Sequence, residues 1–172
     1  RNRGTVGGSL SHADPAADWV SALSALGAKL TLRSLAGART VAMQDFVVGA
    51  LECALRAGEI VEAIHVPARP ASAHWGYVKS CRKTGEFAHA IGAVLIDPSA
   101  ATARIVIGAI DAAPIVITDA AELFGGRIAG DYKERFDARV ADAILIKAGV
   151  SNAAHRHIHV SVLKRAVSEA AA

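Results

Sequence analysis

The first part of the chain carries two kinds of hydrophobic periodicity, one typical of a helix and one typical of strands. Apolar residues recur at helical spacing after Asp14-Pro15, a pair that favours a helix start, and Gly27 is expected to end this helix. Polar and apolar residues then alternate over 29–33, and a second short run covers 40–43. These two runs predict short strands joined by a hairpin turn.

The rest of the chain is predicted to form more strands first and helices afterwards. An apolar run predicts a strand over 60–66, and the Pro-, Ala- and Ser-containing segment 67–73 is linker-like. Three further strands are predicted over 75–81, 89–96 and 104–110, and helices over 119–124, over 135–148 and from about 152 onward. The expected fold class is α+β, with two units that meet near residue 70, the second containing a three-stranded antiparallel sheet and helices.

Composition and charge exclude several classes of protein. Of the 172 residues, 52% are hydrophobic and 20% are charged, which excludes overall disorder. No apolar run reaches the length of a membrane span, and the net charge of +3 is too scattered to indicate a nucleic-acid partner. Cys53 and Cys81 are isolated, which favours a reducing, cytoplasmic compartment. Because residue 1 is Arg, we expect the chain to be part of a longer protein.

The segment with the clearest chemical potential is Thr5-Val6-Gly7-Gly8-Ser9, in an N-terminal stretch expected to be loop-like. Adjacent glycines allow close approach of the backbone to a ligand, and successive N–H groups can form an anion-binding concavity. Hydroxyl groups on either side add hydrogen-bonding capacity. The segment therefore suits a phosphate or pyrophosphate, and a simple turn before a helix is the alternative interpretation.

Other polar residues support weaker hypotheses. Lys79 lies in a predicted strand, where it can reach a bound anion or face solvent. His155 and His159 share a helical face, but no carboxylate or thiolate lies nearby in sequence, so an exposed or partner-facing stripe is expected rather than a metal site. No Ser/His/Asp or Cys/His set is recognisable, and we assign no catalytic side chain and no metal ligand.

Several segments together resemble a known family in their order and spacing. They are residues 1–10, 14–18, 58–61, 77–79, 82–88 and the closing helix over 157–170. The chain resembles the medium, FAD-binding subunits of molybdenum hydroxylases, the family of the carbon monoxide dehydrogenase and xanthine dehydrogenase flavoproteins. The resemblance implies that residues 1–68 are the C-terminal part of a FAD-binding domain and that residues 69–172 are the flavoprotein's C-terminal α+β domain.

The resemblance also implies a cofactor, partners and a role. The cofactor is FAD, and the partners are a large molybdenum-cofactor subunit and a small iron–sulfur subunit. Electrons would pass from the iron–sulfur clusters through FAD to an external acceptor. The family's N-terminal glycine-rich FAD loop has no counterpart in this sequence, so we expect an incomplete FAD site, an inactive isolated chain and self-association. A partner-docking scaffold domain without flavin is the alternative function.

The implied FAD contacts can be assigned residue by residue. The segment from Thr5 to Ser9 resembles the family's loop at the FAD diphosphate and ribityl region, although Ser9 stands where many members have Asn. Asp18 matches an acidic position that holds a flavin-side hydroxyl, and Lys79 matches a lysine near the isoalloxazine ring. The implied cofactor-binding residues are Thr5, Val6, Gly7, Gly8, Ser9, Asp18, Ile60, Val61 and Lys79, of which Ile60 and Val61 form an apolar pair.

Overall fold

The computed structural model describes residues 3–171. Arg1 and Asn2, the first residues of the resembling segments, and Ala172 lie outside the described residues. Within the described range, no helix is both long enough and apolar enough to cross a membrane.

The glycine-rich segment near the N-terminus is helical, which corrects the expectation of a loop. Helix α1 spans Val6–His12. Thr5 caps it, because its Oγ1 accepts a hydrogen bond from the Gly8 N–H at 2.9 Å. Burial of Leu10 on the inner face anchors the helix against the first hydrophobic core. A cap and one buried leucine thus outweigh the poor helix propensity of Gly7 and Gly8.

The helix that the sequence predicts after Asp14-Pro15 begins later than expected. Helix α2 spans Asp18–Ala25. The Asp14 carboxylate accepts a hydrogen bond from the Ala16 N–H at 2.8 Å, so Asp14-Pro15 forms a turn between the two helices instead of a helix start. Gly27, with φ of 64°, follows the end of α2, as the sequence predicts.

The first part of the chain contains two small antiparallel sheets. A three-stranded sheet has the order β2-β1-β5, and the other sheet pairs β3 with β4. The strands are β1 Lys29–Ser34, β2 Gly37–Ala42, β3 Val47–Gly49, β4 Glu52–Cys53 and β5 Ile60–His65, and a 3₁₀ helix spans Met43–Asp45. Buried Leu30 and Leu32 of β1 pack with α1 and α2 in one core.

The second part contains a four-stranded antiparallel sheet in the order β6-β7-β8-β9. The strands are β6 His74–Ser80, β7 Ala90–Asp97, β8 Thr102–Gly108 and β9 Ile115–Ile117. The three predicted strands are present, and β9 is an addition to the three-stranded sheet that the sequence predicted. Because β9 has only three residues, it offers too short a periodicity to be recognised in advance.

Helices follow the second sheet in the chain. They are α3 Tyr132–Arg135, α4 Ala138–Lys147 and α5 Ala153–Ala170, preceded by a 3₁₀ helix at Ala121–Phe124. Asp137 caps α4 by accepting from the Arg139 N–H, so this helix begins after residue 135. Asn152 caps α5 through the N–H groups of Ala154 and His155. The mixed arrangement confirms the predicted α+β class.

Glycines bring a helix close to each face of the four-stranded sheet. A Cβ atom at Gly76 would overlap the Ala166 carbonyl oxygen of α5, and one at Gly92 would lie 3.0 Å from the Leu163 Cα atom. On the opposite face, a Cβ atom at Gly108 would overlap the Ser21 side chain of α2. Helix α2, which belongs to the first part of the chain, therefore packs directly on the second sheet.

Candidate functional site

Three polar side chains from α2 and β6 meet where α2 begins. Tyr77 and Lys79 are two residues apart in β6 and therefore share the sheet face that α2 covers. The Asp18 carboxylate accepts a hydrogen bond from the Tyr77 hydroxyl at 2.6 Å. It also accepts from the Lys79 ammonium, with Nζ–Oδ2 and Nζ–Oδ1 distances of 2.9 and 3.0 Å. This Asp18 cluster joins the two parts of the chain.

The cluster shifts the protonation equilibria of its members. Partial burial is the largest single influence on Asp18 and opposes its ionisation, but the hydrogen bonds from Tyr77 and Lys79 and the lysine charge together lower its pKa. Burial, followed by the hydrogen bond to Asp18, raises the pKa of Tyr77 well above its ordinary value. At neutral pH the cluster is therefore a carboxylate held by a neutral phenol and a lysine.

A groove of about 340 Å³ runs beside the cluster. It is lined by Ser9, Ala16, Ala17, Asp18, Trp19, Lys79, Gly85, Glu86 and Phe87. Both aromatic residues of this lining are open to solvent, with exposed fractions of 48% for Trp19 and 72% for Phe87. This Asp18 groove combines hydrogen-bonding groups with flat apolar surfaces, which is the usual composition of a site for an aromatic ligand.

The N-terminal part of α1 borders the groove through Ser9. The Thr5 side chain caps the helix. The first N–H groups of a helix generally have no acceptor within that helix. A Cβ atom at Gly7 would contact Val61 of β5 at 3.4–3.7 Å, so α1 packs closely on this strand. A Cβ atom at Gly8 would lie 3.0 Å from the Thr5 Oγ1 atom.

The predicted apolar pair is divided between two environments. Val61 is partly buried against the first core, beneath α1. Ile60, the preceding residue of the same strand, is 63% exposed. Neither residue lines the Asp18 groove. Consecutive residues of a strand face opposite sides, so both cannot lie against one ligand surface in the same way.

The structure therefore brings three of the nine predicted binding residues into one groove, namely Ser9, Asp18 and Lys79. The other residues of the glycine-rich segment are on the adjoining helix. Sequence reasoning assigned no binding role to Tyr77 or Trp19, and it considered Phe87 only as part of segment 82–87, either a ligand loop or a polar hairpin connection. The spacing of Tyr77 and Lys79 was a usable signal for a shared face, whereas contact with Asp18 depends on how α2 packs.

The expected exposed stripe of His155 and His159 is wrong for His159, because His155 is exposed but His159 is buried. In the part of the chain that the structure describes, no group of three or more His, Cys, Asp or Glu side chains is arranged to hold a metal ion. Both Cys53 and Cys81 are free thiols and partly buried.

Comparison with known proteins shows what this chain is similar to. Residues 1–69 match the family described as the FAD binding domain in molybdopterin dehydrogenase. The chain is 33% identical over 155 residues to the carbon monoxide dehydrogenase medium chain of Afipia carboxidovorans, covering 88% of this chain and 53% of the relative. These matches fit the medium, FAD-binding subunits of molybdenum hydroxylases, to whose FAD-binding domain and medium chains this chain is similar.

A second relative and two solved structures show the same similarity. The nicotine 6-hydroxylase medium subunit of Paenarthrobacter nicotinovorans is 38% identical over 111 residues, covering 63% of this chain and 38% of the relative. The fold matches carbon monoxide dehydrogenase from Oligotropha carboxidovorans, with a TM-score of 0.80, 28% identity and coverage of 99% and 62% of the two chains. Quinoline 2-oxidoreductase from Pseudomonas putida 86 gives a TM-score of 0.75, 28% identity and coverage of 99% and 61%.

The match covers part of each relative. This chain spans 38% and 53% of the lengths of the two curated relatives named above. The FAD-binding domain match supports the predicted cofactor and covers α1, α2 and β1 to β5.

Proposed function

We propose that this chain holds FAD in the Asp18 groove and serves as an electron-transfer part of a molybdenum hydroxylase complex. The observation that carries the proposal is the Asp18 cluster, because it places a carboxylate, a phenol and an ammonium group beside exposed aromatic surfaces. When bound, FAD supplies the redox chemistry, and this chain's residues bind and orient it.

The Asp18 groove offers polar groups for the ribityl chain of FAD and apolar surfaces for its flat ring system. Asp18 can accept a hydrogen bond from a ribityl hydroxyl, and the Ser9 hydroxyl lies in the same groove. Trp19 and Phe87 offer exposed faces against which a flat ring can pack. The segment from Thr5 to Ser9 is proposed to contact the diphosphate, as the family resemblance implies, and its Ser9 lines the groove.

Lys79 is proposed to stabilise negative charge that develops on the reduced isoalloxazine ring. Its ammonium group carries three N–H donors and bonds to Asp18, so donor capacity remains for a ligand. Ile60, exposed on β5, and Val61 beneath α1 are proposed to supply the apolar contacts that the family resemblance implies.

The wider role follows from the relatives. The matched proteins are described as medium chains or subunits of larger enzymes. We propose that the chain works with a large molybdenum-cofactor subunit and a small iron–sulfur subunit, and that its FAD passes electrons from the iron–sulfur clusters to an external acceptor. We also propose a cytoplasmic location, for which the two free cysteines are the support, and a division into residues 1–68 and 69–172.

Titration of FAD with the full chain tests the flavin proposal. Weak but saturable quenching of flavin fluorescence is expected, together with a shift of the flavin absorption bands. Lys79→Met should weaken binding by about tenfold, because it removes a charged hydrogen-bond donor. Lys164→Met is the matched control, since Lys164 is exposed on α5, across the sheet from the groove.

Two outcomes would contradict this proposal. One is the absence of quenching when the wild-type chain is in large excess over FAD. The other is an equal loss of FAD affinity in the Lys79 and Lys164 variants, which would place the effect outside the groove. A chain that binds its partner subunits but binds no FAD would instead support the scaffold function.

A further inference from the structure

A second and larger cavity lies on the α5 side of the four-stranded sheet. This histidine cleft, of about 550 Å³, lies at the edge where β7 begins and β8 ends, and the α4–α5 connection closes it. Its lining includes His89, Asp111, His155, Ile158 and His159. The volume is in the range of sites for small molecules. The proposed FAD site does not use these residues.

His159 carries an unused hydrogen-bonding atom at this cleft. Its side chain lines the cleft, yet the residue is only 4% exposed. Its Nδ1 atom has no hydrogen-bond partner among residues 3–171. Burial, followed by the proximity of His155, lowers the pKa of His159 and favours the neutral imidazole. A buried polar atom without a partner is costly, which is why such atoms in native proteins call for an explanation.

The surroundings of His159 favour negative charge in a ligand. His89 and His155 add two more imidazoles, and the cleft adjoins the N-terminal end of the 18-residue helix α5. Asn152 already accepts hydrogen bonds from two N–H groups there, so the helix contributes mainly through its dipole. Among the described residues that line the cleft, Asp111 has the one carboxylate.

The same cleft offers apolar surface. Ile110 is buried and Ile158 is 37% exposed, and both line the cavity. Metal binding does not fit, because no group of three suitable donors occurs among the described residues. A ligand that combines an anionic group with an apolar body would use both features of the cleft.

We propose that the histidine cleft is a binding site for a small organic anion, of the class of an aromatic or branched aliphatic carboxylate, with His159 as a hydrogen-bonding partner of the anionic group. The site is separate from the Asp18 groove, although one loop contributes to both. Gly85, Glu86 and Phe87 line the groove, whereas Ala88 and His89 line the cleft.

Three probes of similar shape and different charge test the proposal. The full chain, labelled with ¹⁵N, is titrated with benzoate, benzamide and benzylamine while the histidine ring signals are followed by NMR. Benzoate is expected to move the His159 signals in a saturable way. Benzamide is expected to bind more weakly than benzoate, and benzylamine is expected to leave the His159 signals unmoved. His159→Leu should weaken benzoate binding by about tenfold, because a hydrogen bond to a charged group is lost.

Two further variants keep the test decisive if His159→Leu fails to fold. His155→Gln should weaken benzoate binding by about threefold, because an imidazole that lines the cleft is replaced by an amide in a different position. His157→Gln is the control, because His157 lies on the same helix but does not line the cleft, and it should leave binding unchanged. Equal binding of benzylamine or benzamide, or benzoate titrations that leave His159 unmoved, would overturn the proposal.

Discussion

Replacement of Asp18 with asparagine isolates the charge of the carboxylate that joins α2 to β6. The shape of the side chain is nearly kept, but the acceptor for the Tyr77 hydroxyl and the Lys79 ammonium loses its negative charge. The ion pair is half open to solvent, with exposed fractions of 35% for the Lys79 side chain and 53% for the Asp18 side chain.

The expected loss of stability is modest. An exposed ion pair contributes about 0.5 kcal/mol, and a hydrogen bond to a charged acceptor, discounted for solvent exposure, adds about 1 kcal/mol. We therefore expect Asp18→Asn to lower the free energy of unfolding by about 1–2 kcal/mol at pH 7. Urea denaturation followed by circular dichroism measures this difference directly.

The pH dependence identifies the cause. The folded pKa of Asp18 lies below its ordinary value of 3.8, so its stabilising contribution is present above that pH and is lost as the pH falls through the folded pKa. The difference in stability between wild type and Asp18→Asn should therefore shrink below about pH 4. A difference that stays constant from pH 7 to pH 3 would refute the assignment of the effect to the Asp18 charge.

The remaining predictions concern packing, acid stability and flavin electrostatics. Gly76→Ala should destabilise the fold by about 3 kcal/mol, since its Cβ atom would overlap a backbone carbonyl of α5, and thermal unfolding measures the loss. Hydrogen bonding to Arg39 lowers the pKa of Glu59 to about 2, so the stability advantage of wild type over Glu59→Gln should be lost as the pH falls from 4.5 to about 2. Lys79→Met should lower the reduction potential of bound flavin in a spectroelectrochemical titration, because a positive charge that favours the reduced form is removed.

Controls follow from the same contacts. Gly4 has no atom within 4 Å of its hypothetical Cβ position, so Gly4→Ala should leave the unfolding temperature unchanged. Equal destabilisation by the two glycine variants would contradict the packing argument. For Glu59, an advantage that persists to pH 2 would contradict its ion pair with Arg39, whose Nε–Oε1 distance is 2.7 Å. For Lys79, an unchanged potential would remove the proposed electrostatic role.

The sequence anticipated strands better than it anticipated the site. Periodicity predicted β6, β7 and β8, because alternation is a local property of the chain. It missed α1, where the Thr5 cap and the burial of Leu10 overcome two glycines. Residue type singled out Ser9 and Lys79 as possible anion contacts, and the family resemblance assigned them, with Asp18, to FAD. The role of Tyr77 beside them was not foreseen.

The sequence by itself determined the α+β class, the strand with Tyr77 and Lys79 on one face, and the resemblance to the medium, FAD-binding subunits of molybdenum hydroxylases. Only the tertiary structure decided that Asp18 meets these residues, which are 59 and 61 positions away in the chain. It also decided that His159 is buried beside a cleft. Local patterns fix which face of an element is apolar, but contacts between distant elements depend on how their faces pack, and here glycines at the sheet surface allow α2 and α5 to approach.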